Sequence, residues 1–357
     1  MKNEKMGAYV HIPFCTQKCK YCSFTSFACL ERKCEYLKAL LKEIKYFYQG
    51  EVLNTLYFGG GTPSLLDGGD FEMLINSLKF TPEAEVTVEV NPCSLTPVLL
   101  KKLYNLGVNR LSVGAQSFDD EILKSIGRMH SALDVKNVVA QARSVGFENI
   151  SIDLIYGLPG QDLKRWGNSL SEAIELGVEH ISLYGLSISS GCYFFNNRPE
   201  NLADEDLQAD MYLLALDMLK DFEHYEVSNF ARRGFLGRHN LGYWSLYPYF
   251  GFGAGASGYV GGRRYTNTCS LEDYIANPLK EKEYEVTDSL SEEIFLGFRK
   301  IEGVDTCYIN KKYGIDFDEK YGDVIEKYPE HILKTQKGYR LSVSGILLSN
   351  VVLSEFL

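Results

Sequence analysis

Through the first two-thirds of the chain, short runs rich in β-branched and aromatic residues alternate with stretches whose apolar positions recur every three or four residues. The runs at 8–12, 55–58, 85–90, 110–114, 150–155 and 180–186 predict strands, and the stretches between them predict helices. Between the first two runs, Tyr36, Leu37, Leu40, Leu41, Ile44 and Phe47 make one apolar face of an amphipathic helix. Leu99, Leu100 and Leu103 repeat that spacing ahead of Gly107, a helix stop. Strand and helix in repeated alternation call for a parallel sheet with right-handed crossovers. Six such units fall short of the eight that close a full barrel. The prediction is an α/β fold built as an incomplete (β/α)6 barrel rather than an open doubly wound sheet.

Polar residues gather where these strands end. The first run leads into Cys15 and the second into Gly59-Gly60-Gly61-Thr62-Pro63. The later ones end at Glu89 and Asn91, at Gln116, at Asp153 and at Tyr184. Parallel α/β folds open all their C-terminal strand ends on one side, and ligands bind there. Residues distant in sequence are thereby expected at a common mouth, with Tyr184 and Ser187 beside it.

After Glu226 the character changes. Residues 229–262 are rich in glycine and aromatics, including Tyr243, Trp244, Tyr247, Tyr249, Phe250, Phe252 and Tyr259. From about Thr287 a compact α-rich tail is expected, with Ile294, Phe295, Leu296 and Phe298 helical and a short strand at 339–343. The expected domains are a barrel over 1–228, a Gly/aromatic extension with its linker over 229–286, and a small winged-helix-like domain over 287–357.

No apolar run approaches the roughly 20 residues of a bilayer span, and no signal-peptide stretch follows the lysines near the start, so a cytoplasmic location is expected. The net charge of −10, and a tail with more acidic than basic residues, argue against nucleic-acid binding. The nine cysteines are odd in number and crowded toward the start. Metal or cluster ligation suits that pattern better than a disulfide framework.

Cys15-x3-Cys19-x2-Cys22 lies in a loop leaving the first strand. Three thiolates at this spacing can hold three corners of a cubane. A four-iron cluster usually takes four cysteines, so one iron is left open to another ligand. A zinc site is the alternative, with Cys29 as the fourth ligand.

The segment from Tyr9 through Cys15, Cys19, Tyr21 and Cys22 resembles the signature of the radical S-adenosylmethionine superfamily, and Tyr57–Pro63 resembles its glycine-rich segment. Within it the chain is similar to the oxygen-independent coproporphyrinogen III oxidase group, and inside that group to its heme-carrying branch. Val90-Asn91-Pro92, the stretch from Gly114 to Phe118, Gly127-Arg128-Met129-His130, the stretch from Ile152 to Pro159, and Arg238-His239-Asn240-Leu241-Gly242-Tyr243-Trp244 carry that likeness.

The resemblance implies the incomplete radical S-adenosylmethionine barrel and a [4Fe-4S] cluster on Cys15, Cys19 and Cys22. It also implies S-adenosylmethionine held by Tyr9, Tyr21, Gly60, Gly61, Thr62, Glu89, Gln116, Arg128 and Asp153. Such a cluster passes one electron to the sulfonium, giving an adenosyl radical. Heme is implied at His239, Tyr243 and Trp244, with delivery to heme-accepting proteins such as respiratory enzymes. A homodimer is left open, and so is whether the chain is an enzyme at all.

The alternative is an oxygen-independent coproporphyrinogen III oxidase. Oxidases of the group place a further cysteine two residues after the triad, where this chain has Phe24, and they carry a longer extension ahead of the cluster. Ser257 stands where relatives commonly have a histidine, which weakens any second axial ligand there.

Overall fold

The computed structural model describes residues 5–285 and 288–357. Six strands run parallel and in sequence order: β1 (Gly7–Ile12), β2 (Val52–Gly60), β3 (Lys79–Val90), β4 (Arg110–Gln116), β5 (Ile150–Tyr156) and β6 (His180–Gly185). Their pairings are parallel throughout, from Gly7 opposite Thr55 to Tyr156 opposite Gly185. The observed β2 and β3 are longer than predicted. Their pairing shifts register between Leu53 and Thr55, which lets a strand containing Pro82 start early.

Helices fill the crossovers for local reasons. Thr96 caps the helix Pro97–Asn105 by accepting from the Leu99 amide, with Pro97 at its first turn. Ser131 and Asp134 form a capping box on Ala132–Val145. In the helix Lys33–Phe47, Tyr36, Leu37, Leu40 and Ile44 are buried as the periodicity requires, and they join Val10, Leu56 and Val88 in one core.

The sheet does not stop at six strands. β7 (Glu223–Glu226) and β8 (Asn229–Ala231) form a hairpin on β6. On the other side β9 (Tyr249–Phe252) lies parallel to β1, followed by β10 (Ser257–Val260), β11 (Arg263–Thr266) and β12 (Tyr284–Glu285). The resulting twelve-stranded sheet has β12 and β7 at its edges, so the barrel is open. The expected boundary after residue 228 runs through the β7–β8 hairpin, and the Gly/aromatic stretch continues the barrel sheet. β9 was hidden because Gly251 interrupts its apolar run. A side chain at residue 251 would meet the Ser257 carbonyl oxygen at 1.9 Å.

The described part of the expected linker, residues 280–285, is tied down rather than free. Lys282 pairs with the buried Glu43, and Tyr284 and Glu285 pair with Tyr265 and Arg264. Residues 286 and 287, where the last boundary was expected, lie outside the described residues. The tail has its own core of Leu290, Ile294, Phe298, Phe317, Tyr321, Val352 and Phe356. A three-stranded sheet of β13 (Val304–Asp305), β14 (Ile332–Lys334) and β15 (Gly338–Leu341) lies among its helices. Backbone bonds from Val227 N to Arg299 O (3.0 Å) and from Ile301 N to Tyr225 O (3.1 Å) join it to the barrel edge.

Candidate functional site

The C-terminal ends of β1 to β6 surround a cavity of about 470 Å³. Cys15, Cys19 and Cys22 all line it. Their loop is closed at its base, where Cys15 N donates to Phe27 O (3.0 Å) and Phe27 N to Pro13 O (2.7 Å). It is also pinned laterally to the turn before Arg128. Lys20 N donates to Ile126 O (3.0 Å) and Gln17 Nε2 to Gly127 O (2.7 Å).

Cys29 does not line the cavity and packs instead against the main core, while Cys34 is exposed on its helix. Among the described residues no three His, Cys, Asp or Glu side chains gather closely enough for a single metal ion. Three thiols around an open space, with the fourth candidate elsewhere, fit a cubane better than a four-thiolate zinc site. Thr62 Oγ1 donates to Cys15 Sγ (3.5 Å), and Arg128 Nη1 donates to Cys19 Sγ (3.8 Å). Both donors would offset thiolate charge.

Around the thiols stand Tyr21, Gly60, Gly61, Thr62, Glu89, Gln116, Arg128 and Asp153, with Tyr184 and Ser187 at the mouth. Gly60 has φ of 113°, and a side chain there would strike the His11 ring at 2.5 Å. Gln116 adopts φ of 66°, rare for a non-glycine residue, where β4 shifts register against β5. Arg128 is held by Gly114 O through Nη2 and by His130 Nδ1 through Nε (3.3 Å). Burial lowers the His130 pKa to about 4, so the ring is neutral. Its Nε2 donates to Ala115 O (3.0 Å), leaving Nδ1 to accept from Arg128.

Two partly buried carboxylates share this cavity. Glu89 accepts from Tyr57 OH (2.8 Å) and Gly60 N (3.2 Å). Burial raises its pKa to about 7 against the opposing pull of the Tyr57 bond, and the charge of Asp153 adds to the rise. Asp153 accepts from Ser112 Oγ (2.7 Å) and Ser151 Oγ (3.3 Å), and burial raises its pKa as well.

Tyr9 departs from expectation. Its hydroxyl is bonded to His11 Nδ1 (3.0 Å), and it lines an adjoining cavity of about 500 Å³ with Phe24, Tyr243, Tyr249 and Ser257. Glu89 and Gly60 border both spaces.

Of the expected heme residues, Tyr243 borders this adjoining cavity, while His239 and Trp244 lie elsewhere. His239 sits near the N-terminal ends of β1 and β2, five residues down β2 from Gly60, or roughly 16 Å along a strand. Its Nδ1 is bonded to Thr55 Oγ1 (2.8 Å) and its Nε2 to Tyr243 OH (2.7 Å). Burial lowers its pKa to about 3, and both ring nitrogens are occupied. Axial ligation of heme iron by His239 would require one of these buried bonds to break. Trp244 faces the tail, with Arg299 stacked 4.5 Å from its ring centroid and Phe295 and Leu296 in the same cluster. Of the three, His239 and Tyr243 line a smaller cavity of about 290 Å³ with Lys5, Met6 and Tyr247, and Trp244 does not.

Tyr57 and Ser112 were missed as site residues. The signal was available, because Tyr57 and Ser112 alternate with buried apolar neighbours, and Ser112 is on the same strand face as Gly114 and Gln116.

A family model described as the Radical SAM superfamily matches residues 9–173. The heme chaperone HemW of Lactococcus lactis subsp. lactis (strain IL1403) is 37% identical, covering 100% of this chain and 98% of that protein. The HemW of Bacillus subtilis (strain 168) is 38% identical, covering 98% and 99%. In three dimensions the chain is similar to Escherichia coli coproporphyrinogen III oxidase, HemN, described as a radical SAM enzyme. The TM-score is 0.86 at 21% identity, covering 99% of this chain and 90% of that one. The fold and the three-cysteine mouth define a radical SAM superfamily protein. Within that superfamily, the chain belongs to the heme chaperone HemW family.

Proposed function

We propose that this chain binds a [4Fe-4S] cluster, S-adenosylmethionine and heme, and delivers heme to acceptor proteins such as respiratory enzymes in the cytoplasm. The observation that carries the cofactor half is the cavity where three thiols, and no fourth, meet Glu89, Gln116, Arg128 and Asp153. Heme delivery rests on the family. The residues fit the cofactors by their chemistry. Three thiolates serve three irons, closely approached glycines leave backbone room for a carboxylate, and two acidic side chains suit an ammonium or ribose hydroxyls.

Each residue then has a defined task. Cys15, Cys19 and Cys22 hold the cluster, with Thr62 and Arg128 donating to sulfur. Gly61 leaves the space against Phe14 that a methyl would fill, since a Cβ would lie 2.7 Å from Phe14 O. Glu89, with its pKa near neutrality, accepts hydrogen bonds or holds a proton, as its environment demands. Asp153 is fixed by two serine hydroxyls as an acceptor. When bound, the cluster and S-adenosylmethionine supply one-electron chemistry. Among the described residues no helix is long and apolar enough to cross a membrane, so acceptors in membranes would be met from outside the bilayer.

Phe24 separates this reading from the oxidase alternative. It lines the cavity with a side chain two-thirds exposed, at the position of the oxidases' extra cysteine. The test is anaerobic reconstitution followed by heme titration and incubation with coproporphyrinogen. A Soret band with no decarboxylation is expected. Turnover of coproporphyrinogen without a Soret change would replace this reading with the oxidase.

A further inference from the structure

His239 and Tyr57 belong to one stack of rings running up the inside of the barrel. Tyr57 lies 5.1 Å from the His239 ring at an interplanar angle of 24°, and 6.0 Å from Tyr9 at 26°. At its top, the Tyr57 hydroxyl donates to Glu89 Oε1 (2.8 Å), whose carboxylate faces the three-cysteine cavity. At its foot, His239 is fixed at both ring nitrogens by Thr55 and Tyr243. Its helix Arg238–Trp244 is fixed in turn by the buried Glu85, which accepts from Arg238 N and His239 N, each at 2.9 Å.

The stack has space reserved for it. A side chain at residue 59 would meet the Tyr57 ring at 2.9 Å, Tyr9 at 3.0 Å and the Glu89 carboxyl carbon at 3.1 Å. Glycine there lets the three groups sit together. A ring bonded at both nitrogens cannot rotate without losing a buried hydrogen bond, so His239 offers Tyr57 a fixed shelf.

We propose that His239 is a positioning residue for the cofactor cavity, acting through Tyr57 to hold the Glu89 carboxylate where S-adenosylmethionine binds. This rests on the reading that the three-cysteine cavity takes S-adenosylmethionine. It gives the His239 segment a role in the cofactor site from the opposite end of the barrel, and it takes His239 out of contact with heme iron.

The test is a double-mutant cycle on cluster-loaded protein: Tyr57→Phe, His239→Phe, and both together. S-adenosylmethionine affinity is measured by anaerobic equilibrium dialysis, alongside iron content and the Soret band after heme addition. Each single change is expected to weaken S-adenosylmethionine binding about tenfold, the scale of one hydrogen bond to a charged group. The double variant is expected to lose about the same tenfold, because both changes break one relay. Iron content and the Soret band should stay at parent values.

A hundredfold, additive loss in the double variant would overturn the relay. So would parent-like S-adenosylmethionine affinity in His239→Phe, or loss of its Soret band alone. His239→Gln, which keeps a donor and an acceptor, serves if the phenylalanine variant does not fold, and it should retain more affinity than Tyr57→Phe. A parent protein that binds heme but no S-adenosylmethionine would refute the cavity reading, and this proposal with it.

Discussion

Arg128 Nη1 stands 3.8 Å from Cys19 Sγ, and the rest of its guanidinium is anchored by Gly114 O and His130 Nδ1. A partly buried cation so placed would stabilise the more negative, reduced state of a cluster on these thiols. At an effective dielectric of about 20 a unit charge at this range is worth on the order of 4 kcal/mol. Arg128→Met should therefore keep its iron but show a more negative cluster midpoint in an EPR redox titration. An unchanged midpoint would contradict the assigned role of the guanidinium.

Gly61 faces backbone rather than a movable side chain. A Cβ there would lie 2.7 Å from Phe14 O and 3.0 Å from Ile12 O, directly before Cys15. Gly61→Ala must push the cysteine loop outward, since the backbone cannot give locally. Iron per chain after reconstitution is expected to fall severalfold. Gly322→Ala, with nothing within 4 Å of the added carbon and, like Gly61, no positive φ, is the control for glycine replacement and should load iron normally.

Glu43 is fully buried and accepts from Gly253 N (2.8 Å), Asn267 Nδ2 (2.8 Å) and Tyr274 OH (2.5 Å), besides pairing with Lys282. It thereby binds the helix Lys33–Phe47 to the strands beyond β1. Lys282→Met strips the charge partner from a buried carboxylate, at a cost of about 3–5 kcal/mol. Thermal unfolding should show a clear drop in midpoint, and the double variant Glu43→Gln, Lys282→Met should recover part of it. A midpoint equal to the parent's would show that the clasp contributes nothing.

The raised pKa of Glu89 gives the protein without cofactors a pH signature. Its folded pKa of about 7 lies above the usual carboxylate value, so the folded state binds the extra proton. The stability it contributes is full below the unfolded pKa and is lost as pH rises toward about 7. Tyr57 and Asp153 are the titratable groups that act on it, and neutral His130 and His239 work in the opposite direction as pH falls below their usual range. The comparison is therefore differential. Denaturant stability of Glu89→Gln should gain on the parent between about pH 4.5 and 7, and parallel curves would rule out the raised pKa.

Much of the fold was legible because the six parallel strands and their helices obey simple periodicities. The strand ends collected Glu89, Gln116 and Asp153 at one mouth, since parallel connectivity alone requires it. β9 and the Lys282 clasp were not legible. The first breaks its apolar run with Gly251, and the second joins residues 239 apart in sequence. His239 shows the limit of a motif. Its neighbours in sequence are those expected of a heme-binding segment, but its partners in space are Thr55, Tyr57 and Tyr243. Tyr9, from the signature segment itself, faces His11 and the adjoining cavity, because alternation along β1 fixes its side and its height below the mouth.

The most direct measurement is the EPR spectrum of reduced, anaerobically reconstituted protein before and after S-adenosylmethionine is added. A four-iron signal that changes on addition is expected, because a cluster held by Cys15, Cys19 and Cys22 would leave one iron without a thiolate. A spectrum unaltered by S-adenosylmethionine, or zinc in place of iron, would contradict the account.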